Sequence, residues 1–226
     1  MPQSSETSQA TPHSEKDWMS VLQRICRWTA QIRPRSFRRT RAPLLERIFL
    51  HIGVEKTGTT TLQVTMAINR RLLRRFGYAV PAAPKGFPSC HFGLALCAAH
   101  PDAVPELRQA ARLASGKAYE AFIESYPEKI SRELVTSGCH TGILSNEHCS
   151  SRLTNTTEIQ KIHQILTRLG RECRIKIYLR RQDELVASHY STEVRSGGTR
   201  EFDFNHAVPW LNYLHLLEMW TQVFGK

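Results

Sequence analysis

Apolar positions along the chain change period repeatedly, and each change marks an element. Ile48-Phe-Leu-His-Ile52 reads as a buried strand. From Thr59 the spacing turns helical, with Leu62, Met66, Leu72 and Leu73 on one side and Arg70, Arg71 and Arg74 on the other. Phe76 to Pro81 is a short strand entering a Pro- and Gly-rich loop that runs to Ser89. His91 to His100 and Val104 to Tyr126 have helical spacing. Thr141 to Asn146 is a strand with Glu147 at its tip, Thr156 to Leu169 a helix closed by Gly170, and Arg174 to Leu179 the next strand. Gln182 to Arg195 forms a helix ending at Gly197-Gly198, and a last helix carries Trp210, Tyr213, Leu214, Leu217, Trp220 and Phe224 on one stripe. Such alternation predicts an α/β fold, a three-layer sandwich around a central, mainly parallel sheet, with the site beyond the carboxyl ends of its strands.

The strongest chemical signal joins the first strand to the first helix, at Gly53-Val-Glu-Lys-Thr-Gly-Thr-Thr-Thr61. Glycines at 53 and 58 permit backbone angles that side chains forbid, so the amides from about Thr57 to Thr60 can converge on one anion. The helix that follows adds its positive N-terminal end at the same point. The two glycines have the spacing of a nucleotide-triphosphate P-loop, but Lys56 precedes the second glycine and Thr59 stands where the triphosphate-binding lysine belongs. A lysine inside the loop can neutralise charge on a leaving phosphate oxygen, which suits transfer of a group from a 5′-phosphate. The sequence has no Asp-bearing apolar strand to supply a magnesium partner, so no metal is expected.

His51-Ile-Gly-Val-Glu-Lys-Thr-Gly-Thr-Thr-Thr-Leu-Gln63 resembles the 5′-phosphosulfate-binding loop of bacterial sulfotransferases, enzymes that use 3′-phosphoadenosine 5′-phosphosulfate. Ile177-Tyr-Leu-Arg-Arg-Gln-Asp-Glu-Leu-Val-Ala-Ser-His-Tyr190 is similar to that family's 3′-phosphate segment, in which an arginine at a strand end is followed eight residues later by a helical serine. The resemblance implies transfer of a sulfuryl group to a hydroxyl or amine, with a carbohydrate or lipid-linked sugar as acceptor. It implies that Lys56 stabilises the leaving phosphate oxygen, that Thr57, Gly58, Thr59, Thr60 and Thr61 line the 5′-phosphate site, and that Arg180 and Ser188 hold the 3′-phosphate. Arg181 is the alternative to Arg180, since the two are adjacent.

The attacking hydroxyl or amine must also lose a proton, and Glu147, His148, His91 and His51 are the candidate bases. Glu147 is preferred, because Leu-Ser-Asn-Glu-His is similar to the family's Ser-Ser-Glu stretch after a strand. His148 points the other way if the segment stays extended, and His51 reads as a sheet residue. In the family the last helix leads into a further strand and a segment closing over the nucleotide; their absence predicts a truncated domain, 47–226, with reduced activity. The rival readings are a P-loop kinase or NTPase, disfavoured by the lysine position, and a truncated member that binds nucleotide without turnover.

Composition changes this picture little. The chain has 226 residues, 41% hydrophobic and 23% charged, as expected of one soluble domain. It shows neither an apolar run of membrane-spanning length nor a secretory signal, so a cytoplasmic location is expected. The net charge is +11, and seven arginines with no acid lie between Arg24 and Arg41. Residues 1–46 read as a basic, partly disordered arm bearing one short helix from Trp18 to Trp28, with attraction to a polyanion or weak contact with an acidic membrane surface as its functional reading. No nucleic-acid-binding pattern accompanies it. Six cysteines read as free thiols, and Cys139-His140 and His148-Cys149 lack the spacing of a zinc site.

Overall fold

The computed structural model describes residues 44–82, 90–113, 116–203 and 211–225. The basic arm up to residue 43, the end of the Pro/Gly loop, residues 83–89, and Trp210 lie outside the described residues. Strands β1 (Leu45–His51), β2 (Tyr78–Ala79), β3 (Thr141–Ser145) and β4 (Gly170–Lys176) form one sheet in the order β2-β3-β1-β4. Every neighbouring pair is parallel. The chain is therefore an α/β protein with an all-parallel sheet, and its helices are consistent with a three-layer arrangement. The first strand starts at Leu45, two residues before the domain boundary read from the sequence, because Leu45 already enters the core and pairs with Gly170.

Nine helices are described: α1 (Thr59–Ile68), α2 (Arg70–Arg75), α3 (Gly93–Ala98), α4 (Pro105–Ala110), α5 (Gly116–Thr136), α6 (His148–Arg152), α7 (Thr156–Thr167), α8 (Gln182–Arg195) and α9 (Tyr213–Phe224). The single helix expected after Gly58 is broken at Asn69, whose amide group donates to the Thr65 carbonyl, and Leu72 is exposed rather than packed. Val104 to Tyr126 is likewise two helices. Its second part runs past Pro127 to Thr136, because Tyr119, Tyr126, Ile130 and Leu134 keep one apolar stripe buried across the proline.

Gly170 does not close a helix. It opens β4 four residues earlier than the pattern suggests, where a Cβ would lie 2.6 Å from Ile48 Cγ1. On α9 the buried residues are Leu216, Met219 and Trp220, whereas Leu214 and Leu217 are exposed. The expected stripe is rotated, because this helix must face both α7 and β4. Tyr213 Oη also donates to the Arg180 carbonyl, 2.7 Å away, and so ties α9 to the segment after β4. No helix among the described residues is long and apolar enough to cross a membrane.

Candidate functional site

The parallel register sets His51 opposite both Ser145 and Lys176, so the carboxyl ends of β1, β3 and β4 lie side by side. The segments leaving those ends carry Lys56, Glu147 and Arg180, and all three emerge at one edge of the sheet.

The loop after β1 begins as an extension of the sheet. The Ile52 amide donates to Lys176 O at 2.8 Å and the Val54 amide to Tyr178 O at 3.1 Å. The Thr57 hydroxyl then donates to the Val54 carbonyl at 2.6 Å and closes the turn, so that hydroxyl is engaged within the loop. Left-handed backbone occurs at Gly58, with φ 82°, and at Lys56, with φ 65°. For a residue with a side chain this conformation costs about 1 to 2 kcal/mol, so the surrounding bonds must hold Lys56 there. Gly53 serves a different purpose from the one its spacing suggests: a Cβ there would sit 2.6 Å from His51 Nε2. It supplies space, and the unusual dihedral falls on the lysine instead.

Helix α1 starts at Thr59 with Gly58 as its N-cap. No side chain caps it and no acid lies in its first turn. Its leading amides therefore remain available to an anion. Thr60 and Thr61 are exposed beside them, while Thr59 is buried.

Arg180 lies against this loop. Its guanidinium donates to the Lys56 carbonyl at 3.1 Å and to Glu184, one turn along α8, at 3.1 Å. Arg181 points elsewhere: it pairs with Asp183 at 2.7 Å and is largely exposed. Lys56, Thr57, Gly58 and Arg180 share an open cavity of about 560 Å³ with Tyr178 and Glu184. Ser188 is half-buried on α8 and is not among the residues lining that cavity. Lys56 also lines a second cavity, of about 590 Å³, against α8. The lysine thus stands between two hollows.

Behind the loop runs a chain of buried polar contacts. Gln63 of α1 donates to Ser145 Oγ at 3.2 Å and to the Glu147 carboxylate at 2.5 Å. Ser145 Oγ lies 2.9 Å from His51 Nδ1. Burial lowers the His51 pKa and the Glu147 charge opposes that shift. Among the described residues His51 Nε2 has no hydrogen-bond partner; it lies beneath Gly53, and its ring meets Tyr178 edge-on at 4.7 Å.

The other histidines are placed differently from the sequence reading. His148 does not turn away on an extended segment, because helix α6 begins there and brings its Nδ1 to 3.6 Å from Glu55. His91 is fully buried, accepting the Ser145 amide at 3.0 Å and facing the Pro81 carbonyl with Nε2 at 3.1 Å. Burial pushes its pKa down to about 4 despite those bonds, so it is a neutral structural residue that joins β3 to the segment after β2.

Glu55 is the hub of a second cluster. Its carboxylate accepts from Ser151 at 2.9 Å and pairs with Arg152 at 3.4 Å, and His189 of α8 stands 3.9 Å away. Burial works against the charge, but His148, Arg152 and Ser151 outweigh it and hold the pKa near 2. The loop is thereby anchored to α6 and α8.

The five described cysteines are free. Cys90, Glu147 and His148 bring one donor atom each within 4.8 Å of one another. Burial and the Glu147 charge raise the Cys90 pKa, so the thiol stays protonated and donates to Glu147 at 3.5 Å. Comparison with protein-family models, curated proteins and solved structures finds no match to this chain.

The sequence motifs contained Lys56, Thr57, Gly58 and Arg180, which do meet. They gave no role to Gln63, Ser145, Glu55 or His189. Only Gln63 had a visible signal, as a polar residue one turn after Thr59 on the face that α1 buries.

Proposed function

We propose that this protein is a sulfotransferase that moves a sulfuryl group from 3′-phosphoadenosine 5′-phosphosulfate to a hydroxyl or amine of a carbohydrate acceptor. The observation that carries this reading is Lys56: held in the left-handed region, its carbonyl fixed by Arg180, and shared by two cavities at the carboxyl edge of a parallel sheet. A lysine after the second glycine would lie on the helix and follow a triphosphate. Here it sits in the turn, beside the uncapped start of α1, where a 5′-phosphate would rest.

In the reaction, the acceptor oxygen or nitrogen attacks sulfur from the side opposite the nucleotide. The bond from sulfur to the bridging phosphate oxygen breaks, and its electron pair stays on that oxygen. Lys56 and the amides of the α1 start stabilise the resulting charge. Glu147 accepts the acceptor's proton, its carboxylate oriented by Gln63. The products are the sulfated acceptor and adenosine 3′,5′-bisphosphate, whose 3′-phosphate is assigned to Arg180 with Ser188. The P-loop-like character of the loop belongs to this reading.

The test is transfer of labelled sulfate from the donor to a panel of neutral, cationic and anionic oligosaccharides by wild type and by Lys56→Ala. Wild type forms a labelled sugar, and Lys56→Ala binds nucleotide but transfers at least about 100-fold more slowly. Transfer of labelled γ-phosphate from ATP, without sulfate transfer, would replace the reading with a kinase.

A further inference from the structure

Three potential metal ligands meet where the carboxyl end of β3 faces the segment leading into α3. Cys90 Sγ, a Glu147 carboxylate oxygen and a His148 ring nitrogen all lie within 4.8 Å of one another. The backbone builds this arrangement. The His91 amide donates to the Ser145 carbonyl at 2.8 Å, which sets Cys90 beside the end of β3, and the His148 amide donates to Asn146 Oδ1 at 3.1 Å as α6 begins. Ligand atoms around a tetrahedral zinc ion stand roughly 3.2 to 3.8 Å apart. Cys90 Sγ already lies 3.5 Å from Glu147 Oε2. Two further features point to a cation. The Glu147 carboxylate takes its bonds from neutral groups, the Gln63 amide at 2.5 Å and the Cys90 thiol, and among the described residues no cation forms a salt bridge with it. His148 Nδ1 faces the Glu55 carboxylate at 3.6 Å, a pairing of the kind that orients a metal-binding imidazole.

We propose that Cys90, Glu147 and His148 form a zinc site, and that loading it switches the enzyme off. One thiolate, one carboxylate and one neutral imidazole balance the charge of a divalent ion, which suits a site this far from solvent. A thiolate with an imidazole also favours zinc over magnesium and calcium, which prefer oxygen ligands alone. On loading, the Cys90 proton leaves to solvent, the hydrogen bond from Cys90 to Glu147 gives way to bonds from sulfur and carboxylate to the ion, and water fills the fourth position. The ligand set stands on the geometry of these three residues. The switch rests on the sulfuryl-transfer reading, in which Glu147 takes the acceptor's proton: a carboxylate whose lone pairs are bound to zinc is no longer a base.

The experiment is titration of the full chain with zinc in competition with a chromophoric chelator, repeated in a large excess of magnesium and with cobalt(II) as a spectroscopic probe. Wild type should take up zinc whether or not magnesium is present, and its cobalt form should show a sulfur-to-metal charge-transfer band. Losing an outer partner of a metal site costs about 10- to 100-fold in affinity, so losing a ligand in Cys90→Ser or His148→Gln should cost about 100-fold or more. Cys90→Ser should also lose the band, and Cys139→Ser should bind as wild type does. No zinc uptake by wild type, displacement of zinc by magnesium, or affinity and band unchanged in Cys90→Ser and His148→Gln would overturn the site. In the same samples zinc should stop transfer of labelled sulfate by wild type, and chelator should restore it; full transfer by the zinc-loaded protein would overturn the switch. Zinc binding as described, in a protein that transfers no sulfate even without zinc, would instead count against the sulfuryl-transfer reading and leave the metal site standing.

Discussion

The Arg180 guanidinium donates to the main-chain carbonyl of Lys56 across 3.1 Å, joining the two sequence motifs by one bond between residues 124 positions apart. The contact fixes the backbone of the residue whose ammonium group is proposed to stabilise the leaving phosphate oxygen. The adjacent Arg181 pairs with Asp183 instead and does not reach the loop.

Arg180→Ala should therefore weaken adenosine 3′,5′-bisphosphate roughly 10- to 100-fold, the range for losing a charged hydrogen bond, whereas Arg181→Ala should stay close to wild type. Calorimetry on the two variants decides this. Reversed effects would move the 3′-phosphate to Arg181.

Glu147→Gln keeps the side chain's shape and removes its basicity. Turnover should fall about 100-fold or more with nucleotide affinity retained. Gln63→Leu should lower turnover less, since the carboxylate remains and loses only the amide that orients it. Normal turnover in Glu147→Gln would leave that carboxylate as a structural partner of Gln63.

The parallel sheet and the position of the loop were legible in the sequence because both rest on local patterns: strand runs, glycines and a helix start. What the sequence hid depends on contacts between distant segments. Gly53 looks like a hinge, yet it is small because His51 Nε2 lies under it. Lys56 gives no local hint of its left-handed backbone, which arises from Arg180, Thr57 and the sheet extension acting together. The α5 pattern was cut short at Pro127, since local propensity there opposes a stripe whose partners are far along the chain. Likewise, the faces of α9 could not be ranked by hydrophobicity, with Leu214 and Leu217 as apolar as the buried Leu216. Glu55 lies inside the loop motif, but nothing local marks its role, since its partners come from α6 and α8.

His91 makes a prediction about acid stability. The unfolded chain takes up its proton near 6.5, whereas burial delays protonation in the folded state to about 4. A lowered histidine pKa means that the folded state binds fewer protons in this window. Stability is then complete above pH 6.5 and is lost as the pH falls to 4, by up to about 3 kcal/mol from this group. Denaturant titrations across that range should show the decline, and His91→Gln should be less stable at neutral pH but flatter below it. An equal slope in the variant would assign the proton uptake to another group.

The central claim, a site built for a 3′-phosphorylated adenosine nucleotide at a lysine-bearing loop, is tested most directly by titrating wild type with adenosine 3′,5′-bisphosphate and with ATP plus magnesium in parallel. The bisphosphate should bind at least about tenfold more tightly, and its affinity should be independent of magnesium. Tighter binding of magnesium-ATP, or equal affinity for adenosine 5′-phosphate with and without the 3′-phosphate, would contradict the account.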